Sequence, residues 1–172
     1  MQDTVLRTME WLAQAAENPR GCVEEWDRAP LVPQPLMIGK TFDLVTVHSR
    51  VGARVLEMYD RDHIPAGGAV VDVRVMKAGF LVYRDSAVPP PLTISLACNA
   101  SYQTRSSGRK GFVLLCSPEH HEDSSPRWLR IPGEGGTYTF ILNELTHKLA
   151  EVALEGVAFP IDDVPPPAPS YR

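Results

Sequence analysis

A chain of 172 residues that is 44% hydrophobic and 22% charged is long enough to bury a real core and has the composition of an ordinary globular domain. Its formal net charge of −4 excludes the broad positive field of a dedicated non-specific DNA binder, so contact with nucleic acid would need a local basic patch. Three widely spaced cysteines, Cys22, Cys98 and Cys116, contain no CxxC pair and argue against a structural zinc site.

Early acids and the lack of an apolar core at the N-terminus give no signal-peptide pattern, and no window approaches the length of a membrane span. The expected compartment is the cytoplasm, with no membrane contact. In chain order, Asp3 or Thr4 is placed to cap a first helix in which Val5, Leu6, Met9, Leu12, Ala13 and Ala16 fall at helical spacing. Asn18-Pro19 stops it and reads as the cap and first position of a second short helix, with Cys22, Val23 and Trp26 on one side. Pro30, Pro33 and Pro35 force an extended passage. Leu36 to Ile38 and Phe42 to Val47 predict short strands, the second alternating Phe42, Leu44 and Thr46 against Asp43, Val45 and Val47. Ser49 is the expected cap of a third helix whose Val51, Val55, Met58 and Tyr59 share a face. A turn at residues 65–68 precedes a strong strand signal from Ala69 to Met76, which continues as Phe80 to Tyr83 through a hairpin expected at Lys77-Ala78-Gly79.

Pro89, Pro90 and Pro91 predict a stiff surface connection. Leu92 to Cys98, Phe112 to Cys116 and Trp128 to Ile131 are read as further strands. A glycine-rich turn, residues 133–136, introduces a last helix in which Ile141, Leu145, Leu149 and Val152 recur at helical spacing and which Gly156 closes. Adjacent strands with helices at both ends favour α+β over a doubly wound parallel sheet. The expectation is a single α+β domain over residues 1–158, with a mixed or antiparallel sheet, an N-terminal helical pair and a C-terminal helix. Residues 159–172 form a proline-rich tail that cannot build core and is expected to be disordered.

Candidate chemistry is sparse. Arg105, Arg109 and Lys110, with Tyr102 nearby, make a basic loop able to hold backbone phosphates and stack on a base, although a solvated hairpin tip has the same composition. His120 and His121, with Glu119, Glu122 and Asp123, have metal-ligand chemistry but also the look of an exposed polar turn. Cys116 lies in an apolar strand, which argues against an activated thiolate, and Ser117 lacks a nucleophile elbow. Alternation is expected to place Val71, Val73 and Val75 on one face of their strand and Asp72 with Arg74 on the other, in solvent.

Three stretches carry a resemblance: residues 9–28 (MEWLAQAAENPRGCVEEWDR), residues 42–59 with the strand pair at 70–82, and GRKGFVLLCSP at 108–118 with RWLRIP at 127–132. Together they resemble small actinobacterial proteins related to the N-terminal domain of bifunctional DNA primase/polymerases. The resemblance implies a core like that of RNA-recognition folds, and in active members of the wider family, nucleotidyl transfer with two divalent metals. Such chemistry needs paired carboxylates on one strand. Here the matching strand reads Val71-Asp72-Val73-Arg74, and Arg74 stands where the second acid is required. The leading expectation is therefore a non-catalytic binding or regulatory module without a cofactor, whose partner is another protein or a second copy of itself, with nucleic acid possible through the basic loop. The alternative is a nucleotidyltransferase with a relocated site, Asp72 with Asp43 or Asp85 holding magnesium or manganese and the loop holding a nucleotide triphosphate.

Overall fold

The second of the two N-terminal helices forms where capping chemistry places it, whereas the first already starts at Gln2, ahead of the expected caps Asp3 and Thr4. In the computed structural model, which describes residues 2–84, 92–104, 111–120, 126–133 and 137–156, α1 spans Gln2–Ala13 and α2 spans Pro19–Arg28. The Asn18 side chain accepts the Gly21 amide at 3.1 Å, and Pro19 occupies a first-turn position that has no intrahelical acceptor to lose. Trp26 is fully buried and donates its indole N–H to the carbonyl of Leu115 at 3.3 Å.

The chain continues through β1 (Gln34–Met37), β2 (Phe42–His48), α3 (Ser49–Arg61), β3 (Ala69–Asp72), β4 (Lys77–Tyr83), α4 (Leu92–Ala97), β5 (Ser101–Gln103), β6 (Phe112–Leu115), β7 (Arg127–Arg130) and α5 (Leu142–Leu154). The strands make two antiparallel sheets, a five-stranded one ordered β5-β2-β4-β3-β7 and a two-stranded ribbon of β1 and β6. This is the expected α+β class, with the sheet antiparallel. Within the larger sheet, β2-α3-β3-β4-α4-β5 follows the β-α-β-β-α-β order of split β-α-β folds, with β2 and β4 at the centre.

Strand alternation divides the interior in two. Val45, Val47, Phe80 and Val82 face α3 and α5 and pack with Val51, Val55, Tyr59, Leu145 and Leu149. Phe42, Leu44 and Leu81 face the other way, under Leu12, Trp26 and Leu36. Beyond the first residue of β3, Phe140 takes the place beside β4, donating its N–H to Leu81 at 2.8 Å and accepting from Tyr83 at 2.9 Å. Its ring meets Tyr59 and Phe80 edge-on, with centroids 5.1 Å apart in each case.

Three local readings change. Leu92 to Cys98 is not a strand: a strand would line up Ile94, Leu96 and Cys98, whereas α4 and its following turn put Ile94 and Cys98 against the helical core and leave Leu96 74% exposed. The hairpin turn lies at residues 73–76 instead of 77–79, because Asp72 pairs with Lys77 and Met76 takes the left-handed conformation at φ 52°. Gly79 stays inside the strand, where a Cβ would come within 3.2 Å of Leu44 and 3.3 Å of Val70. The cap of α3 is His48, whose Nδ1 accepts the Arg50 amide at 3.3 Å, so Ser49 is already the first helical residue. Residues 159–172 lie outside the described residues.

Two consequences follow for stability. Gly52 lets α3 approach the sheet, since a Cβ there would stand 2.3 Å from the Cβ of Ala78. Despite the better helix propensity of alanine, Gly52→Ala should lower unfolding free energy by roughly 2 kcal/mol, measured by urea denaturation. The Tyr59 hydroxyl is buried without a hydrogen-bond partner, and burial, with the Glu144 charge adding, raises its pKa above the ordinary value. Tyr59→Phe should raise stability by about 1 kcal/mol at neutral pH. Because the folded state holds the phenol proton more tightly, the wild type should also lose stability as pH rises past about 10, and the variant should lose less.

Candidate functional site

The strongest sequence candidate, Asp72, ends β3 at the mouth of the hairpin turn. Its Oδ1 accepts both the backbone N–H and the Nε of Arg74 at 3.0 Å, and its Oδ2 accepts Nη2 at 2.8 Å. The guanidinium thus covers the carboxylate as a fork, while the backbone bond closes an Asx turn that fixes the hairpin. The Arg74 side chain holds the Asp72 carboxyl below its ordinary pKa, outweighing the opposing effect of partial burial. The valines do not share a face as alternation predicts. Val71 is buried, but Val73 and Val75 belong to the turn and are 63% and 61% exposed.

Asp43 occupies a different environment. It lies in β2 with its side chain fully buried, and Tyr102 from the neighbouring β5 donates its hydroxyl to Oδ2 at 2.9 Å. A buried carboxylate is costly unless it is hydrogen-bonded, so this contact explains why Tyr102 points inward. The ring packs against the helical core and is only partly exposed.

Register measures the distance between the two acids. Asp43 lies opposite Val82 on β4, and Asp72 lies opposite Lys77. Five residues of strand put them roughly 17 Å apart along β4, far more than the spacing of about 4 Å between ions in a two-metal site. The fold therefore brings Asp43 together with Tyr102, and Asp72 with Arg74, but not the two acids with each other. Asp85, Arg105, Arg109, Lys110 and His121 lie outside the described residues. His120 ends a single 3₁₀ turn, Pro118–His120, and its side chain is also outside the description. Among the described residues, no three His, Cys, Asp or Glu side chains are grouped to hold a metal ion.

Other groups have structural partners. Cys22, Cys98 and Cys116 are buried free thiols, and burial pushes Cys22 up to about 11, the opposite of nucleophile activation. Trp128, whose orientation the alternation left open, is buried and donates to the Cys116 carbonyl at 3.1 Å. An ionic network between α3 and α5 had no signature in the sequence because its members are distant in the chain. Asp62 accepts from Arg61 at 2.7 Å and Lys148 at 2.6 Å, and Arg54 forks onto Glu155 with both contacts at 2.9 Å. Arg61 and Lys148 hold the Asp62 carboxyl well below the usual carboxylate range.

The surfaces are equally informative. RNA-recognition folds stack bases on one open face of the sheet, but here that face carries Phe42, Leu44 and Leu81 beneath α1, α2 and β1. Exposed apolar groups gather instead on the β1–β6 ribbon, where Phe112 is 63% and Leu114 44% exposed, with Pro35 also exposed on the same side. The sequence identified Phe112 to Cys116 as a strand, but an uninterrupted apolar run does not say which side is covered. Among the described residues, no helix is long and apolar enough to cross a membrane. Compared with protein-family models, curated proteins and solved structures, the chain matches none.

The Asp72–Arg74 contact has a pH signature. A depressed carboxyl pKa stabilises the fold above its unfolded value, and that stability disappears as pH falls through the folded value. Asp72→Asn keeps an oxygen for the Arg74 amide but loses the ion pair. Its melting temperature should lie below the wild type at pH 7 and converge with it as pH falls below the ordinary carboxyl value and the native carboxyl takes up its proton. A constant offset across that range would show that the pair contributes nothing.

Proposed function

We propose that the chain is a non-catalytic binding or regulatory module built on a degenerate primase/polymerase-like fold and working in the cytoplasm. The observation that carries this reading is the Asp72–Arg74 fork. A divalent cation at Asp72 would have to displace a guanidinium that donates to both carboxylate oxygens, one of which also accepts the turn amide. The roughly 17 Å of strand between the Asp43 and Asp72 positions supports the same reading, as does the commitment of Tyr102 to Asp43. The β-α-β-β-α-β order is what kinship with that family would entail, while the covered sheet face removes the usual platform for bases. Three buried free thiols suit a reducing compartment. The module acts through contact with another protein chain, and its exposed apolar ribbon is the surface suited to that.

A thermal-shift titration tests the reading. Ribo- and deoxyribonucleoside triphosphates, each with and without manganese, and a short single-stranded DNA should leave the melting temperature unchanged. A manganese-dependent rise with nucleotide that Asp72→Ala abolishes would overturn the proposal and reinstate nucleotidyl transfer.

A further inference from the structure

The β1–β6 ribbon has one closed edge and one open edge. Ile38 donates its N–H to Gly111 at 3.0 Å, and this fixes the phase of the ladder. Leu36–Val113 and Gln34–Leu115 turn their amides towards each other, and Met37–Phe112 and Pro35–Leu114 turn theirs outward. On the β1 side the outward amides are accounted for: Met37 donates to the Ala15 carbonyl at 2.9 Å, and Pro35 has no N–H. On the β6 side, the outward amides and carbonyls of Phe112 and Leu114 have no hydrogen-bond partner among the described residues.

Open edges invite pairing unless they are charged, short or covered. The outer strands of the larger sheet are protected in this sense, since β7 carries Arg127 and Arg130, and β5 is three residues long with polar ends. β6 carries neither charged nor polar residues. Its four residues are Phe-Val-Leu-Leu, and the side chains beside the open amides are the exposed Phe112 and Leu114. The adjoining loop is fastened to the end of this strand, with Pro30 accepting from Ser117 at 2.9 Å and Leu31 from the Cys116 thiol at 3.3 Å. It adds the exposed Leu31 and Val32 to the apolar surface.

We infer that β6 pairs antiparallel with β6 of a second copy of this chain, joining two ribbons into a continuous four-stranded sheet. This deepens the binding-module reading by naming the partner and the strand. A two-fold axis at Val113 places Phe112 opposite Leu114 of the other copy, so each open amide meets an open carbonyl, giving four hydrogen bonds by symmetry. The same register sets the exposed Phe112 ring against the exposed Leu114 side chain of the other copy, a favourable cross-strand pair, twice over.

Sedimentation equilibrium of the full chain over a roughly hundredfold concentration range tests the pairing by mass action. The wild type should shift from monomer to dimer. Leu114→Pro removes an outward N–H and the Leu114 side chain, leaving the β1 ladder intact, and should weaken association at least roughly thirtyfold through the loss of one hydrogen bond per copy. Phe112→Lys, at an exposed position, should do the same by charging the edge. Circular dichroism melts of both variants should stay close to the wild type at low concentration, separating lost pairing from lost folding. Hydrogen exchange of the Leu114 amide in the wild type should slow as concentration rises. A wild type that is monomeric throughout, or a dimer with an unprotected Leu114 amide that both folded variants leave intact, would overturn the inference. Either result is independent of the manganese and nucleotide titration, which tests catalysis alone.

Discussion

The central strands β2 and β4 are buried on both faces, and the rest of the molecule follows from that constraint. An antiparallel sheet usually turns one face to water and alternates accordingly. Here Val45 and Phe80 enter one core while Leu44 and Leu81 enter another, so helices must cover both sides. The N-terminal pair and β1 supply one cover, and α3 with α5 supplies the other. Gly52 above Ala78 and Gly79 between Leu44 and Val70 show how closely the layers approach, since neither position has room for a Cβ without displacement.

Burying both faces leaves little freedom for polar groups. Asp43 is carried inside by its place in β2, and its Oδ2 accepts the hydroxyl of Tyr102 from the adjacent strand. Trp26 and Trp128 hand their indole protons to backbone carbonyls at the end of β6. Tyr59 alone among these residues keeps a buried hydroxyl without a partner, where edge contact with Phe140 replaces hydrogen bonding. Most charged chemistry is pushed to the periphery, into the α3–α5 network and the hairpin turn at Asp72.

This distribution narrows the functional possibilities. Asp43 and Asp72, two of the acids that might have shared metal ions, are separated by the sheet register, and each has a local partner. The face that would accept bases in an RNA-recognition fold is occupied by the protein's own helices. Open backbone groups and exposed apolar side chains are presented together at the ribbon. Strand addition uses that combination, with main-chain bonds supplying direction and side-chain pairs supplying selectivity.

The sequence by itself determined the elements whose signals are local. Asn18-Pro19 marks a helix start, the three-to-four spacing in α3 and α5 marks buried helix faces, and the alternation in β2 assigns its residues to opposite sides. It also set Arg74 two residues beyond Asp72, which was enough to doubt a metal site. Only the tertiary structure decided that Asp72 and Arg74 belong to a turn, that Leu92–Ala97 is helical, and that Tyr102 faces Asp43. The last depends on partners 59 residues apart along the chain, which local propensity does not encode. The open edge of β6 belongs with them. Phe-Val-Leu-Leu reads as strand from its composition, but the direction of its unpaired amides is set by the register with β1, and therefore by Pro35 and Met37, more than seventy residues away.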